Sequence, residues 1–345
     1  MHDMLEGVCV YDTSKILLSL IESKVITIDL LNNRKNLFPY GELEVGNVSK
    51  VLSKKNLQSC NLKMTASEML CFIRYLPLML GDIVPKENIF WKSLLNLISV
   101  LDFLMKDEYS ENDLIYLAKL IKEHHETYAR LFGHLKPKHH FMVHYPKAIR
   151  MGGPLKYLWS MRFEAKHKDT KIYFNSITSR LNPSKSIARK SCFQFSYFLL
   201  KYSLGVPKEF EENYFQNHNP DLLKIFESNE FGIDIKSAKT SYEITYKCSI
   251  YKQKYYIGIL CKDFKLYKIN FFLLVNDKIF IACNEIAIKG FDKHFVAYEV
   301  GECVNENIVT PIDNFSTRPM HLYTIANGKC CRQIANFTKF TTLKY

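Results

Sequence analysis

Glu164 is the residue of this chain best placed to do chemistry. It stands in Trp159-Ser160-Met161-Arg162-Phe163-Glu164-Ala165-Lys166-His167-Lys168, a carboxylate ringed by cations. Two-metal phosphodiester cleavage uses such acids: hard Mg²⁺ takes oxygen ligands, one ion activates the attacking oxygen and the other stabilises the leaving one. That chemistry needs several carboxylates, not one. A solvated helix face on which Glu164 pairs with Lys168 at i+4 accounts for the same spacing and contributes only about 0.3–0.5 kcal/mol. Spacing alone leaves both readings open.

The cations around Glu164 belong to a larger bias. His134 to Lys201 holds fourteen Lys/Arg and two acids, Glu164 and Asp169, an excess equal to the +12 of the whole chain. Charge this segregated suits a polyanion. Lys136, Lys138, Lys147, Arg150, Lys156, Arg162, Lys166, Lys168, Arg189 and Lys190 are the expected phosphate contacts. Each would steepen the log–log salt dependence on duplex DNA by about 0.9, without reading base sequence. Tyr157 and Trp159 have faces on which unpaired bases could stack, although Trp159 falls on an apolar stripe and reads more readily as core.

Other candidates carry less. His140 and His144 share a helix face at i, i+4 beside His139, but no Glu or Cys completes a zinc set and the positive surroundings oppose a cation. No metal is expected there; packing or phosphate contact is. His124-His125 reads as one packed and one exposed residue of a helix, Asp3 and Asp12 as a helix-start acid and a turn residue. No Gly-rich nucleotide loop, Gly-x-Ser-x-Gly elbow or CxxC pair occurs. The ten cysteines, without a secretory signal at the start, read as reduced thiols of a nuclear or cytoplasmic chain that is not secreted. No apolar run approaches the roughly 20 residues of a membrane span, and no small-molecule substrate is implied.

These residues need elements to hold them. Apolar spacing predicts a helix over 14–31, then a long irregular connection over 32–64. Thr65 with Glu68, and Ser110 with Asp113, start helices, the first ending near Pro77. Another helix spans about 87–106. The helix from Ser110 carries Leu114, Leu117, Ile121, His125 and Tyr128 down one face. Short helical pieces follow Pro137, a helical stripe runs from Leu155 to Ile177, and 184–204 reads as an amphipathic helix ended by Gly205 and Pro207. Beyond about 233 the period changes to two. Strands are expected over 242–250, 255–260, 266–275, 278–283 and 295–300, with Asn276-Asp277 as a hairpin turn.

Three stretches resemble the CACTA (En/Spm-type) cut-and-paste transposases, in their animal-genome versions. They are His2-Asp3-Met4-Leu5-Glu6-Gly7-Val8, Leu135 to Pro146 (LKPKHHFMVHYP), and Gly153-Pro154-Leu155 followed by Trp159 and Met161 to His167. The similarity covers about residues 1–205. It implies that Glu164 is the last acid of a catalytic Asp-Asp-Glu set on an RNase H-like fold, with a helical insertion before it. The family's two aspartates, and the Asp or Cys three residues before His2, would lie upstream of this chain, so one of three acids remains. The expectation is therefore an α+β protein in three parts: a helical insertion-like region over 1–133, a basic RNase H-like remnant over 134–232, and a small β-rich domain over 233–345. The expected function is that of a transposon-derived, catalytically inactive protein that binds DNA, with self-association open, no membrane, and no cofactor. Mg²⁺ enters only under the alternative that this is a partial gene model of an active transposase. A protein-interaction module is the remaining alternative.

Overall fold

A computed structural model describes residues 2–159, 161–178, 181–203, 216–217, 239–246, 249–260, 264–275, 278–317, 319–324 and 330–332. The fold is α+β, helical in its N-terminal part and antiparallel β in its C-terminal part. The chain divides into two compact units that interleave in sequence. One comprises Met1–Leu158, Lys254–Asn270 and Ile281–Tyr345, the other Trp159–Gln253 and Phe271–Phe280. The sequence reading instead cut the chain linearly at 133/134 and 232/233.

The first unit opens with a π-helical turn, Met4–Val8, that runs directly into α1 (Cys9–Glu22). The helix expected over 14–31 is two helices. Ser23 and Lys24 end α1, the latter with φ 59°, and Thr27 caps α2 (Ile28–Leu37) by accepting from the Leu30 amide at 3.1 Å. The irregular connection after it contains a 3₁₀ turn (Glu42–Asn47) and a short α3 (Lys54–Gln58). It is pinned from below: the fully buried Lys35 donates to the Ser49 carbonyl at 2.8 Å and to the Lys50 carbonyl, while Asn32 exchanges two bonds with the Leu52 backbone. Burial holds the Lys35 ammonium below its ordinary range, with the Glu68 carboxylate pulling the other way.

Thr65 and Glu68 form the expected reciprocal cap of α4 (Ala66–Leu80), which runs one turn past Pro77. Proline there lacks the N–H that would bond the Ile73 carbonyl, so the helix runs on past one missing internal bond. Asn88 caps α5 (Ile89–Leu104), and Ser110 with Asp113 caps α6 (Glu111–Phe132). On α6 the buried face is Leu114, Leu117, Leu120, Ile121, His124 and Tyr128. His125, expected on that face, is half-buried beside it. Steps of three and four residues from Leu117 lead through Ile121 to His124 and Tyr128, so His124 takes the inward position. Then come α7 (Pro137–Val143) and α8 (Tyr145–Gly152).

The same unit takes in strands from the far end of the chain: β5 (Tyr256–Leu260), the first half of β6 (Phe264–Val275), most of β7 (Lys278–Asp292), β8 (Ala297–Pro311), β9 (Tyr323–Thr324) and β10 (Cys330–Arg332). Their order is β5-β6-β7-β8-β10-β9. Leu266, Val300 and Met320 form a core with Tyr256, Phe264 and Ile288. These strands are packed on the helices rather than folded apart from them. His294 accepts from the Trp91 indole N–H at 3.1 Å and donates to the Gly81 carbonyl at 2.7 Å, so its tautomer is fixed by its partners. Tyr323 stacks on Phe38 and meets Tyr75 edge-on.

The second unit holds α9 (Met161–Ser176) and α10 (Pro183–Ser203), which pack together. It also holds β1 (Gln216–Asn217), β2 (Lys239–Ser241) and a hairpin of β3 (Glu243–Tyr246) and β4 (Ser249–Lys252). The single strand expected over 242–250 is this hairpin, with Tyr246 opposite Ser249. β2 pairs with residues 272–274 of β6. The Asn276-Asp277 turn and the Gly205 and Pro207 stop fall outside the described residues, and the described part of 134–203 contains helices only.

Candidate functional site

Two arrangements stand out, one buried and one exposed. The buried one is Asp12, His124 and His139, all fully enclosed and delivered by α1, α6 and α7. Asp12 Oδ2 lies 2.8 Å from His124 Nε2, and Oδ1 lies 2.9 Å from His139 Nε2. A turn role for Asp12 is thereby corrected. Leu5, Val8, Asp12, Ile16 and Leu20 recur at steps of three and four, so the carboxylate sits inside the buried stripe of its helix.

The tautomers follow from the partners. Lys136 is the N-cap of α7, and its backbone N–H donates to His139 Nδ1 at 3.0 Å. An amide N–H can only donate, so Nδ1 is an acceptor and the ring proton sits on Nε2, facing Asp12. Asp12, as a carboxylate, therefore accepts from both rings. His124 Nδ1 is buried without a partner, as is His125 Nε2. Burial, with His124 and His139 beside it, pushes His125 down to about 4 and keeps that ring neutral at pH 7. Burial and the Asp12 charge push the Cys9 thiol well up, which makes it inert.

Asp12, His124 and His139 are also the one group of three metal-ligand side chains among the described residues. Its donors do not suit Mg²⁺, which prefers oxygens throughout. Nor do they suit zinc. A ligating imidazole normally donates its second N–H to an acceptor, whereas His139 would have to bind metal through Nε2 while accepting an amide proton at Nδ1. The cluster is a hydrogen-bonded tie.

It is one of three ties between the same two segments. The Tyr145 hydroxyl donates to Asp3 Oδ2 at 2.6 Å, and Lys138 Nζ donates to the Glu6 carbonyl at 3.3 Å. The Lys138 stem crosses Gly7 so closely that an added Cβ would lie 2.1 Å from its Cδ. Residues 2–12 and 136–145, far apart in sequence, are thus one structural piece, and Asp3 and Gly7 acquire structural roles in it. Gly7→Ala is expected to push the flexible Lys138 stem aside and break its bond to the Glu6 carbonyl, at a cost of about 1 kcal/mol. A thermal midpoint equal to the parent's would show that the Lys138–Glu6 bond contributes nothing to the tie.

The exposed arrangement is the basic region. In the first unit, Arg150 is engaged with Glu111 through both Nε and Nη2, and its bonds hold Glu111 below the usual carboxylate range. Lys156 pairs with Asp107, and the Tyr157 hydroxyl also bonds Asp107. Lys138 is committed to Glu6. Lys136 and Lys147 are exposed and form no ion pair among the described residues. The structure thus ties up Lys138, Arg150 and Lys156 as it stands; a phosphate would have to compete for them.

In the second unit, α10 carries Lys185, Arg189, Lys190 and Lys201 and no acid. Lys168 on α9 and Lys185, Arg189 and Lys190 on α10 are exposed, and Lys190 Nζ lies 5.6 Å from the Tyr173 ring centroid. Arg189, Phe193 and Tyr197 follow one another at i, i+4 and i+8, and the two aromatics are 65% and 68% exposed. The apolar residues of α10, expected to be packed as one face of an amphipathic helix, are solvent-facing at Phe195, Leu199 and Leu200 too. Arg162, Glu164 and Lys166 occupy the first turns of α9, and their side chains, like the Glu164–Lys168 pairing, lie outside the described residues. Trp159 is half-buried.

No helix among the described residues is long and apolar enough to cross a membrane. Comparison with protein-family models, with curated proteins and with solved structures gives no match.

Proposed function

We propose that this protein binds nucleic acid through the α9–α10 pair, as a transposase-like chain. The observation that carries the reading is α10: four cations, no acid, and a strip on which Arg189 is followed by the exposed rings of Phe193 and Tyr197. Cations displace counterions from phosphates, and exposed aromatics offer stacking platforms to unpaired bases at about 1–3 kcal/mol each. The resemblance to CACTA transposases supports the same partner. So does the meeting of two of its stretches, His2 to Val8 and Leu135 to Pro146, through Asp3–Tyr145, Glu6–Lys138 and Asp12–His139. Of the three acids that the resemblance implies, this sequence matches Glu164, and the proposal concerns binding alone. Nuclear residence follows from the reading and is proposed with it.

The test is a salt titration of binding to a short duplex and to a single strand of the same length. A steep loss of affinity with salt is expected. The triple variant Lys168→Glu, Arg189→Glu, Lys190→Glu should flatten the log–log slope by on the order of 2–3, about 0.9 for each lost phosphate contact. Phe193→Ala with Tyr197→Ala should weaken the single strand more than the duplex. Binding that ignores salt, or a triple variant with the parent's slope, would remove the basis of the proposal.

A further inference from the structure

His140 lies on α7 and His144 is the residue that joins α7 to α8. Both are exposed, while His139, the residue before His140, points inward to Asp12. The Nε2 atoms of His140 and His144 are 3.2 Å apart, with ring planes at 84°. Two nitrogens at this separation need something between them: a proton that one ring donates to the other, or a metal ion that takes both lone pairs.

The distances fit the ion. At the usual Zn–N length of about 2.0–2.1 Å, nitrogens 3.2 Å apart subtend an angle of about 100° at the metal, close to tetrahedral. Nothing on the backbone side opposes it. The amide of Lys136 is taken by His139, so neither His140 nor His144 faces a fixed donor at Nε2. The nearby positive charge is weaker than the sequence suggests, because Lys138 is bonded to the Glu6 carbonyl and Arg150 to Glu111. Lys136 and Lys147 remain, both exposed, where salt screens them over about 10 Å.

We propose that His140 and His144 form a two-imidazole surface site for a late first-row divalent cation such as Zn²⁺, Ni²⁺ or Cu²⁺. Imidazole suits these ions, and Mg²⁺ or Ca²⁺ would not be held. The protein supplies two ligands through Nε2, and solvent or an external donor fills the remaining positions. The metal needs both lone pairs, so it binds the neutral rings and acidification releases it. The site is distinct from the buried Asp12 cluster, where the one ring with a fixed tautomer has the wrong polarity for a metal. It stands independently of the nucleic-acid reading.

The test uses the full chain, stripped with chelator and titrated with Zn²⁺ alone by calorimetry at neutral pH. One equivalent is expected to bind. His140→Ala and His144→Ala should each weaken binding at least tenfold while leaving the far-ultraviolet circular dichroism unchanged, since both rings are exposed. Long-range ¹H–¹⁵N spectra should show the Nε2 resonances of His140 and His144 moving on addition of Zn²⁺, with those of His124 and His139 still. Mg²⁺ in place of Zn²⁺ should do nothing. Equal affinity in the parent and in either variant, or resonance shifts at His124 and His139 instead, would overturn the proposal.

Discussion

Replacing Asp12 by alanine is expected to lower the unfolding free energy of the first unit by about 3–5 kcal/mol, the range for stripping one partner from a buried charged network. The two imidazole N–H groups that Asp12 accepts belong to fully buried side chains. Each orphaned donor carries a desolvation cost of about 1–3 kcal/mol. Asp12→Asn is the informative contrast. Its carbonyl can still accept from His139, whose proton is held on Nε2 by the Lys136 amide. Its NH₂ then faces His124, which can move its own proton to the unpartnered Nδ1 and accept at Nε2. The asparagine variant should therefore lose only about 1 kcal/mol. Denaturant unfolding read at the buried Trp91, in a Trp159→Phe background, isolates the right unit. An alanine variant within 1 kcal/mol of its parent would mean that the cluster is no tie at all.

Asp102 gives the largest expected gain. It is buried on α5, and Arg74 Nε is 3.8 Å from its Oδ1, too far for a hydrogen bond; neither atom has another partner. Burial pushes the carboxyl up to about 7, with Arg74 pulling only partly back. The sign follows from linkage. Between the unfolded value of about 3.9 and the folded value of about 7, the native state holds the proton more tightly, so stability falls as pH rises through this window. Above it, a charged carboxylate stays buried at full cost. Asp102→Asn is neutral throughout. It is expected to match its parent near pH 4 and to exceed it near pH 8 by on the order of 4 kcal/mol, about 1.4 for each unit of the shift. A difference between the two curves that does not change from pH 4 to pH 8 would contradict this account.

Local signals in the sequence were legible where they were complete in themselves. Thr65 with Glu68 and Ser110 with Asp113 each contain both halves of a cap, and both caps form. The switch to period two after about 233 marks the β-rich part correctly, and the α+β class with it. What could not be read was set by distant partners. Lys35 looks like a surface lysine until the carbonyls of Ser49 and Lys50 are brought to it. Asp12 was read as a turn residue, although its spacing from Val8 and Ile16 carries the signal of an inner stripe. The two histidines that make it tolerable there come from more than 100 residues away. His124 against His125 was a choice between neighbouring positions about 100° apart, which a one-residue shift of phase decides. The three ties between residues 2–12 and 136–145 have no sequence signature at all, because each depends on two helices meeting.

The pairing of Trp91 with His294 spans 203 residues. During synthesis at about 5–20 residues per second, α4 and α5 emerge from the ribosome roughly 10–40 seconds before the segment that covers Trp91 and Tyr75. For that interval the nascent chain shows water an aromatic face which the finished protein hides, so its yield in a cell is governed by who guards that face as much as by the strength of the final fold.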